Sequence, residues 1–328
     1  MKKILLDSSK PFYKANMHCH STYSDGAMTV EELKARYMEK GYSIIAFTDH
    51  EHLIDQSHLT DEHFLALTSC EIAIKQYPEL STLKRFSMKV CHLNFYAKDP
   101  HNVDTPCYSS VADHFIKDFY RDKIVHSCGE YERVYSHEGI SDIIRTANEK
   151  GFLVAYNHPH WSLENACDYL GYKGLFAVEI HNSACMFDGI YEYSSHVYDD
   201  FLRDGQMIAC VAGDDTHAKE HMFGGYTAIN ADALDYASVI RALEEHRFYA
   251  TTGPVIRHLE IEDMTARITY EKGAFVTMQT KGRRAQRIMA EHEGENTAVF
   301  TLRENDGYVR FDVVGADGTR ANTNAYLI

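Results

Sequence analysis

Met17-His18-Cys19-His20-Ser21-Thr22-Tyr23-Ser24-Asp25-Gly26 places two imidazoles two residues apart, with a carboxylate five residues beyond the second. Side chains alternate along a strand, so His18 and His20 are expected on one face. Imidazole and carboxylate are the donors that Zn²⁺, Mn²⁺ or Fe²⁺ take from a protein. By itself a His-x-His pair is weak evidence, because paired histidines also occur in cores and on surfaces. Recurrence gives it weight. The apolar run Ile44-Ile45-Ala46-Phe47 stops at Thr48-Asp49-His50, residues 64–71 end in Glu71, and residues 88–92 end in His92. Residues 152–160 end in Asn157-His158-Pro159-His160, and residues 207–217 in Asp214-Asp215-Thr216-His217. Six strands are predicted, each with a metal-type side chain at or just past its C-terminal end. Functional groups sit at that end in parallel α/β barrels. Residues 175–181 supply a seventh strand, whose Glu179 and His181 are read as packing or supporting groups rather than ligands.

Cysteine placement agrees with this register. Cys19 lies between His18 and His20, Cys70 precedes Glu71, and Cys91 precedes His92. All three are expected to face away from the ligand side, as small buried hydrophobes against packing helices.

In order and spacing these motifs resemble the PHP family, named for polymerase and histidinol phosphatase domains. The resemblance runs from about residue 16 to residue 254. It rests on His18-Cys19-His20, the Ser24-Asp25-Gly26 turn, Thr48-Asp49-His50, Glu71, His92, His158-Pro159 and Asp215-Thr216-His217. It implies an α/β fold, a distorted (β/α)7 TIM-like barrel, and two to three divalent ions (Zn, Mn or Fe). By the resemblance, His18, His20, Glu71 and Asp215 would hold a first ion. Asp25, His50 and His217 would hold a second. Glu71 again, with His92 and His158, would hold a third. All these positions are filled.

Composition fits a metabolic enzyme. A chain of 328 residues with 45% hydrophobic content can bury a barrel core and a small extra domain. We expect a barrel over residues 1–254 and a small antiparallel β domain, read as a sandwich, over residues 255–328. No run approaches the roughly 20 apolar residues of a membrane span. The short apolar stretch after Lys2-Lys3 predicts no secretory signal. A formal net charge of −15 argues against a nucleic-acid partner. Eight cysteines without a Cys-x-x-Cys spacing suit a reducing cytoplasm.

Strand and helix alternate up to residue 254. Thr29-Val30-Glu31-Glu32 reads as a capping box opening a helix that runs to Lys40, with Gly41 after it. Further helices are predicted over about residues 138–150, 189–203 and 234–246. Residues 94–136 make a connection far longer than a barrel needs. It reads either as a lid or substrate loop, or as a helical insertion packed on the flank. Beyond Pro254 short strands alternate with turns, among them residues 303–307 and Ala316-Asp317-Gly318, an Asp-Gly hairpin signal.

The implied chemistry is hydrolysis of small-molecule phosphate esters by attack of a metal-bridging hydroxide, with Glu71 and Asp215 central to it. His160 is either a proton donor to the leaving group or a packing residue beside Pro159. Asp49 and Asp214, each next to a ligand-type residue, are expected to orient ligands through hydrogen bonds. His52, His58 and His63 read as solvated loop residues. Two other readings stand beside this one: a carbamate or amide hydrolase using the same metals, and a non-catalytic metal-binding regulatory module. The complete ligand set and the lack of a polymerase region speak against the module.

Overall fold

The computed structural model describes residues 2–77, 87–112, 115–121 and 123–328. Residues 113, 114 and 122 of the expected insertion lie outside the described residues. The chain opens with β1 (Lys2–Leu6) and β2 (Phe12–Cys19). Next comes α1 (Val30–Glu39), started by the Thr29–Glu32 capping box. Its buried Val30, Leu33 and Tyr37 pack with Cys19 on the outer side of β2. β3 (Ile44–Phe47) and β4 (Leu65–Lys75) continue the sheet parallel to β2.

β5 (Val90–Ala97) breaks the expected pattern by running antiparallel to β4. Among its described residues, the long connection after it holds one α-helix, the four-residue α2 (Asp118–Arg121), before α3 (His137–Glu149), which Ser136 caps. β6 (Phe152–Tyr156) is antiparallel to β5. Then come α4 (Ala166–Tyr169), β7 (Ala177–Asn182), α5 (Ser183–Phe187), α6 (Ser195–Arg203) and β8 (Ala209–Gly213). β6, β7 and β8 are parallel. The helix expected over 189–203 is therefore shorter, starting at Ser195. Past β8 the chain meets β2 again. Cys19 and Thr216 form a parallel bridge, the Asp215 N–H donates to the His18 carbonyl (2.8 Å), and the His20 N–H donates to the Thr216 carbonyl (3.0 Å).

Two expectations about strand ends need correction. Glu71 does not end its strand: β4 runs on to Lys75, paired along its length with β5. His92 does not end one either, being the third residue of β5. Because β5 is reversed, its beginning lies where its neighbours' ligand-bearing ends lie. His92 pairs with Ala73, two residues past Glu71.

β9 (Tyr226–Asn230), α7 (Tyr236–Glu244) and β10 (Phe248–Thr251) follow, with β9 antiparallel to both β2 and β10. The remaining strands are β11 (Val255–Glu262), β12 (Thr265–Glu271), β13 (Phe275–Thr280) and β14 (Ala285–Met289). After them come β15 (Asn296–Thr301), β16 (Tyr308–Val314), β17 (Arg320–Thr323) and β18 (Tyr326–Leu327). One sheet has the order β1-β11-β12-β15. The other runs from β14 through β13, β16, β17, β10 and β9 into β2. Clean burial alternation on β12, β13 and β15 turns one face of each inward. Ile268, Phe300, Val276, Met278 and Phe311 meet between the sheets. β1, from the opposite end of the chain, adds Leu5 and Leu6 to this core. Residues 316–318 close the β16–β17 hairpin, with Gly318 at φ 88°. Residues 303–307 instead carry the chain from one sheet to the other. Among the described residues no helix is long and apolar enough to cross a membrane.

Candidate metal centre

Glu71 stands at the centre of the cluster, buried and inward-facing on β4. Cys70 and Ile72 on either side pack outward with the α3 residues Ile140, Ile143 and Ile144. Glu71 Oε1 lies 3.1 Å from His92 Nδ1 and 3.3 Å from both His18 Nε2 and His158 Nε2. Its Oε2 lies 3.3 Å from His50 Nδ1 and 3.5 Å from His20 Nε2. Asp215 Oδ1 is 3.1 Å from His20 Nε2 and 3.3 Å from His18 Nε2. Asp25 reaches His217 Nε2 at 3.3 Å and His50 Nε2 at 3.6 Å. Four groups result, each with donor atoms within 4.8 Å of one another: His20, Asp25, His50 and His217; His18, His158 and Asp215; His18, His20 and Glu71; Glu71, His92 and His158.

These residues fit divalent ions on three grounds. Tetrahedral ligands at a bond length of about 2.0–2.1 Å stand about 3.3 Å apart, close to most of these separations. Asp215 Oδ1 and His20 Nδ1 are buried without a hydrogen-bond partner, a costly condition that a bound cation relieves. Charge supplies the third ground. Glu71 and Asp215 are buried carboxylates whose ion pairs are all with histidines. Burial would push both carboxyls up, but the charges of His92 and His18 on Glu71, and of His18 and His217 on Asp215, hold them well below the carboxylate range. Burial would likewise depress His158 and His217. Glu71 outweighs it at His158, and Asp215 with Asp25 outweighs it at His217, so both rise to about 9. His20 is pushed down to about 4 by burial and by His217 and His50.

Supporting groups aim these side chains. Glu179 Oε1 sits 3.0 Å from His18 Nδ1, leaving Nε2 to face the cluster. Its Oε2 accepts from the His158 N–H (3.1 Å) and from Asn182 Nδ2 (2.9 Å). His217 Nδ1 donates to the Asp215 carbonyl at 2.9 Å, again leaving Nε2 inward. His158 and Asp215 both adopt left-handed backbone, at φ 26° and 50°, a strained state for such residues that surrounding structure must impose. The glycine of the Ser-Asp-Gly turn is there for space: a Cβ on Gly26 would come within 2.4 Å of the His20 carbonyl oxygen.

The chain belongs to the PHP domain family. The family model, described as PHP domain, matches residues 16–245. No curated protein sequence matches the chain. Among solved structures, it is similar to a two-domain protein of Bacteroides vulgatus containing a predicted PHP-like metal-dependent phosphoesterase. Identity is 13% and the TM-score 0.48, over 98% of this chain and 96% of that one. It is also similar to an amidohydrolase of Chromobacterium violaceum with bound sulfate and no metal, at 14% identity and TM-score 0.39, over 71% of this chain and 96% of that one.

In this PHP domain, all nine residues expected as ligands stand in the four groups. Other expectations change. Asp49 does not hydrogen-bond to His50. Its carboxylate accepts from Ser21 N (2.8 Å), Ser21 Oγ (2.7 Å) and Ser24 Oγ (2.7 Å), pinning the turn that carries Asp25. Asp214 accepts from Ser183 Oγ, Tyr37 Oη and the backbone of Phe223, Gly224 and Gly225, so it anchors the loop under Asp215. His160 is exposed and joins none of the four groups. His52 is buried, not solvated, with Nδ1 2.7 Å from the His50 carbonyl. His58 and His63 are exposed. Sequence reasoning missed Asn157, whose Nδ2 donates to Glu71 Oε1 at 2.8 Å. Its place directly before His158 was the available signal. It also missed Phe115, stacked on His50 at 4.6 Å, for which the spacing offers no signal.

Proposed function

We propose that this chain hydrolyses phosphate esters of small molecules, using two to three divalent ions (Zn, Mn or Fe) held by the nine clustered residues. The observation that carries this reading is the shared Glu71 carboxylate: one oxygen faces His18, His92 and His158, the other His20 and His50. A carboxylate so placed serves adjacent cation sites, the arrangement that in-line displacement at phosphorus uses. Ions held there would supply Lewis acidity and make a water molecule more acidic near neutral pH. The chain's own part is positioning. Glu179 orients His18, Asp49 fixes the turn bearing Asp25, and Asp214 anchors the loop bearing Asp215 and His217. His160, exposed on the turn after β6, is the proposed proton donor to the leaving group.

The same reading treats β2 to β8 as a distorted seven-stranded barrel closed at the Cys19–Thr216 bridge, with a boundary near residue 254. The test is metal analysis with a matched substrate screen. Two to three equivalents of Mn, Fe or Zn, turnover of phosphomonoesters or phosphodiesters above carbamates and amides, and competitive inhibition by inorganic phosphate are expected. Carbamate turnover without phosphoester turnover would replace this function with the alternative hydrolase.

A further inference from the structure

We propose that the mouth of the metal centre is an aromatic clamp that binds the organic part of the substrate as an aromatic group, with Trp161 as its main platform. This deepens the phosphoesterase reading and takes from it only that the substrate joins an anionic head to an organic body.

Aromatic rings border the ligand cluster on three segments. Trp161, the chain's one tryptophan, has its ring 4.9 Å from that of His158 and 5.3 Å from that of His92. Phe115 stacks on His50 with rings 4.6 Å apart and 24° from parallel. Phe187, at the end of α5, lies 5.6 Å from His221, whose Nδ1 is 3.2 Å from the His217 backbone nitrogen. Trp161 remains 39% exposed and Phe187 60%.

Rings that served the core alone would be covered. Among the described residues, fourteen large hydrophobic side chains are exposed. Five of them, Trp161, Leu163, Met186, Phe187 and Tyr191, lie on the two segments that follow β6 and β7. Scattered exposed apolar residues need no explanation, but a group beside a polar cluster marks a surface that something covers.

The chemistry chooses what covers it. Aromatic faces carry the negative side of a quadrupole and repel phosphoryl oxygens. The anionic head therefore goes to the ions and the organic body to the rings. The platform is also fixed before anything binds. The Trp161 backbone N–H donates to Glu192 Oε2 at 2.8 Å, and this buried carboxylate also accepts from the His160 backbone N–H (3.3 Å) and Ser194 Oγ (2.5 Å). A ring carried on an anchored backbone and packed against two histidines loses little freedom when a ligand stacks on it.

The test compares two non-hydrolysable ligands with the same head, 2-phenylethylphosphonate and ethylphosphonate, on the metal-loaded full chain. Affinity is measured by calorimetry at matched metal content, alongside tryptophan emission, which reports Trp161 alone. The phenyl ligand is expected to bind about tenfold more tightly and to shift the emission. That ratio should fall to about one in Trp161→Ala and largely persist in Trp161→Phe. Equal affinities in the wild-type protein, or a preference that survives Trp161→Ala, would overturn the clamp. Turnover of 2-phenylethyl phosphate and ethyl phosphate is scored separately. If neither is hydrolysed the phosphoesterase reading falls, while the binding ratio still decides the clamp.

Discussion

Two buried ionic clusters in this molecule are built on opposite principles. Arg310, on β16, is almost wholly buried between Asp199 of α6 (2.8 Å) and Asp312 on its own strand. Asn322 adds a donor to Asp312 (2.7 Å). A guanidinium is permanently charged, so this cluster is complete without help. Around Glu71 and Asp215 the ion pairs are all with imidazoles, which are charged only when protonated. Asp215 Oδ1 and His20 Nδ1 there have no hydrogen-bond partner. The first cluster joins a helix of the α/β part to a C-terminal strand. The second gathers imidazoles and carboxylates that could hold metal ions. Burial of charge therefore says little about role; the kind of counter-charge says much.

Glu71→Gln strikes the incomplete cluster hardest. It removes the charge shared by two groups, so turnover should fall roughly 10³-fold and more than one ion should be lost by elemental analysis. His92→Ala removes one neutral donor from one group and should retain measurable turnover. A Glu71→Gln variant with full metal content and full turnover would erase the distinction between the clusters.

Arg310→Ala tests the complete cluster. Asp312 is left buried without its cation, while part-buried Asp199 keeps only Arg203 at 3.8 Å, so unfolding free energy should fall by about 3 kcal/mol, read by denaturant titration. Metal content per folded molecule should not change. Loss of metal in that variant would show the two clusters to be coupled.

Glu164 is an intermediate case and gives the smallest effect. Its buried carboxyl meets neutral donors, Tyr135 (2.6 Å), Tyr156 (2.5 Å) and Tyr172. Burial lifts it from 4.5 to about 7, against the pull of the three hydroxyls. Between those values the folded state holds a proton that the unfolded state has lost. Stability from this group is thus present below the lower value and is lost as pH rises through the window. In metal-free protein, melting temperature relative to Glu164→Gln should drop by a few degrees from pH 5 to pH 7.5. A flat difference would mean the tyrosines fully replace a cation.

The clustered histidines and carboxylates were legible because metal chemistry restricts residue type and a strand restricts spacing. His18 and His20 had to share a face, and Cys19, Cys70 and Cys91 had to point away, as they do. The direction of β5 was not legible. An eight-residue strand carries the same alternation either way round, and only pairing with β4 and β6 reverses it. Nor was the burial of His52 legible, because the short stretch Glu51-His52-Leu53-Ile54-Asp55 mixes polar and apolar residues without a periodic pattern.

By itself the sequence determined the family and the α/β alternation, and it singled out the imidazoles and carboxylates that the fold clusters, since each depends on residue identity at short, regular spacing. Tertiary structure decided the rest. It turned Asp49 from His50 to the turn of Asp25, set Glu179 behind His18, brought β1 across the molecule to the C-terminal sheet, and laid Trp161 beside His92 and His158. Each of these joins residues far apart along the chain. Such contacts are chosen by packing and by partner supply around the site, which local spacing does not encode.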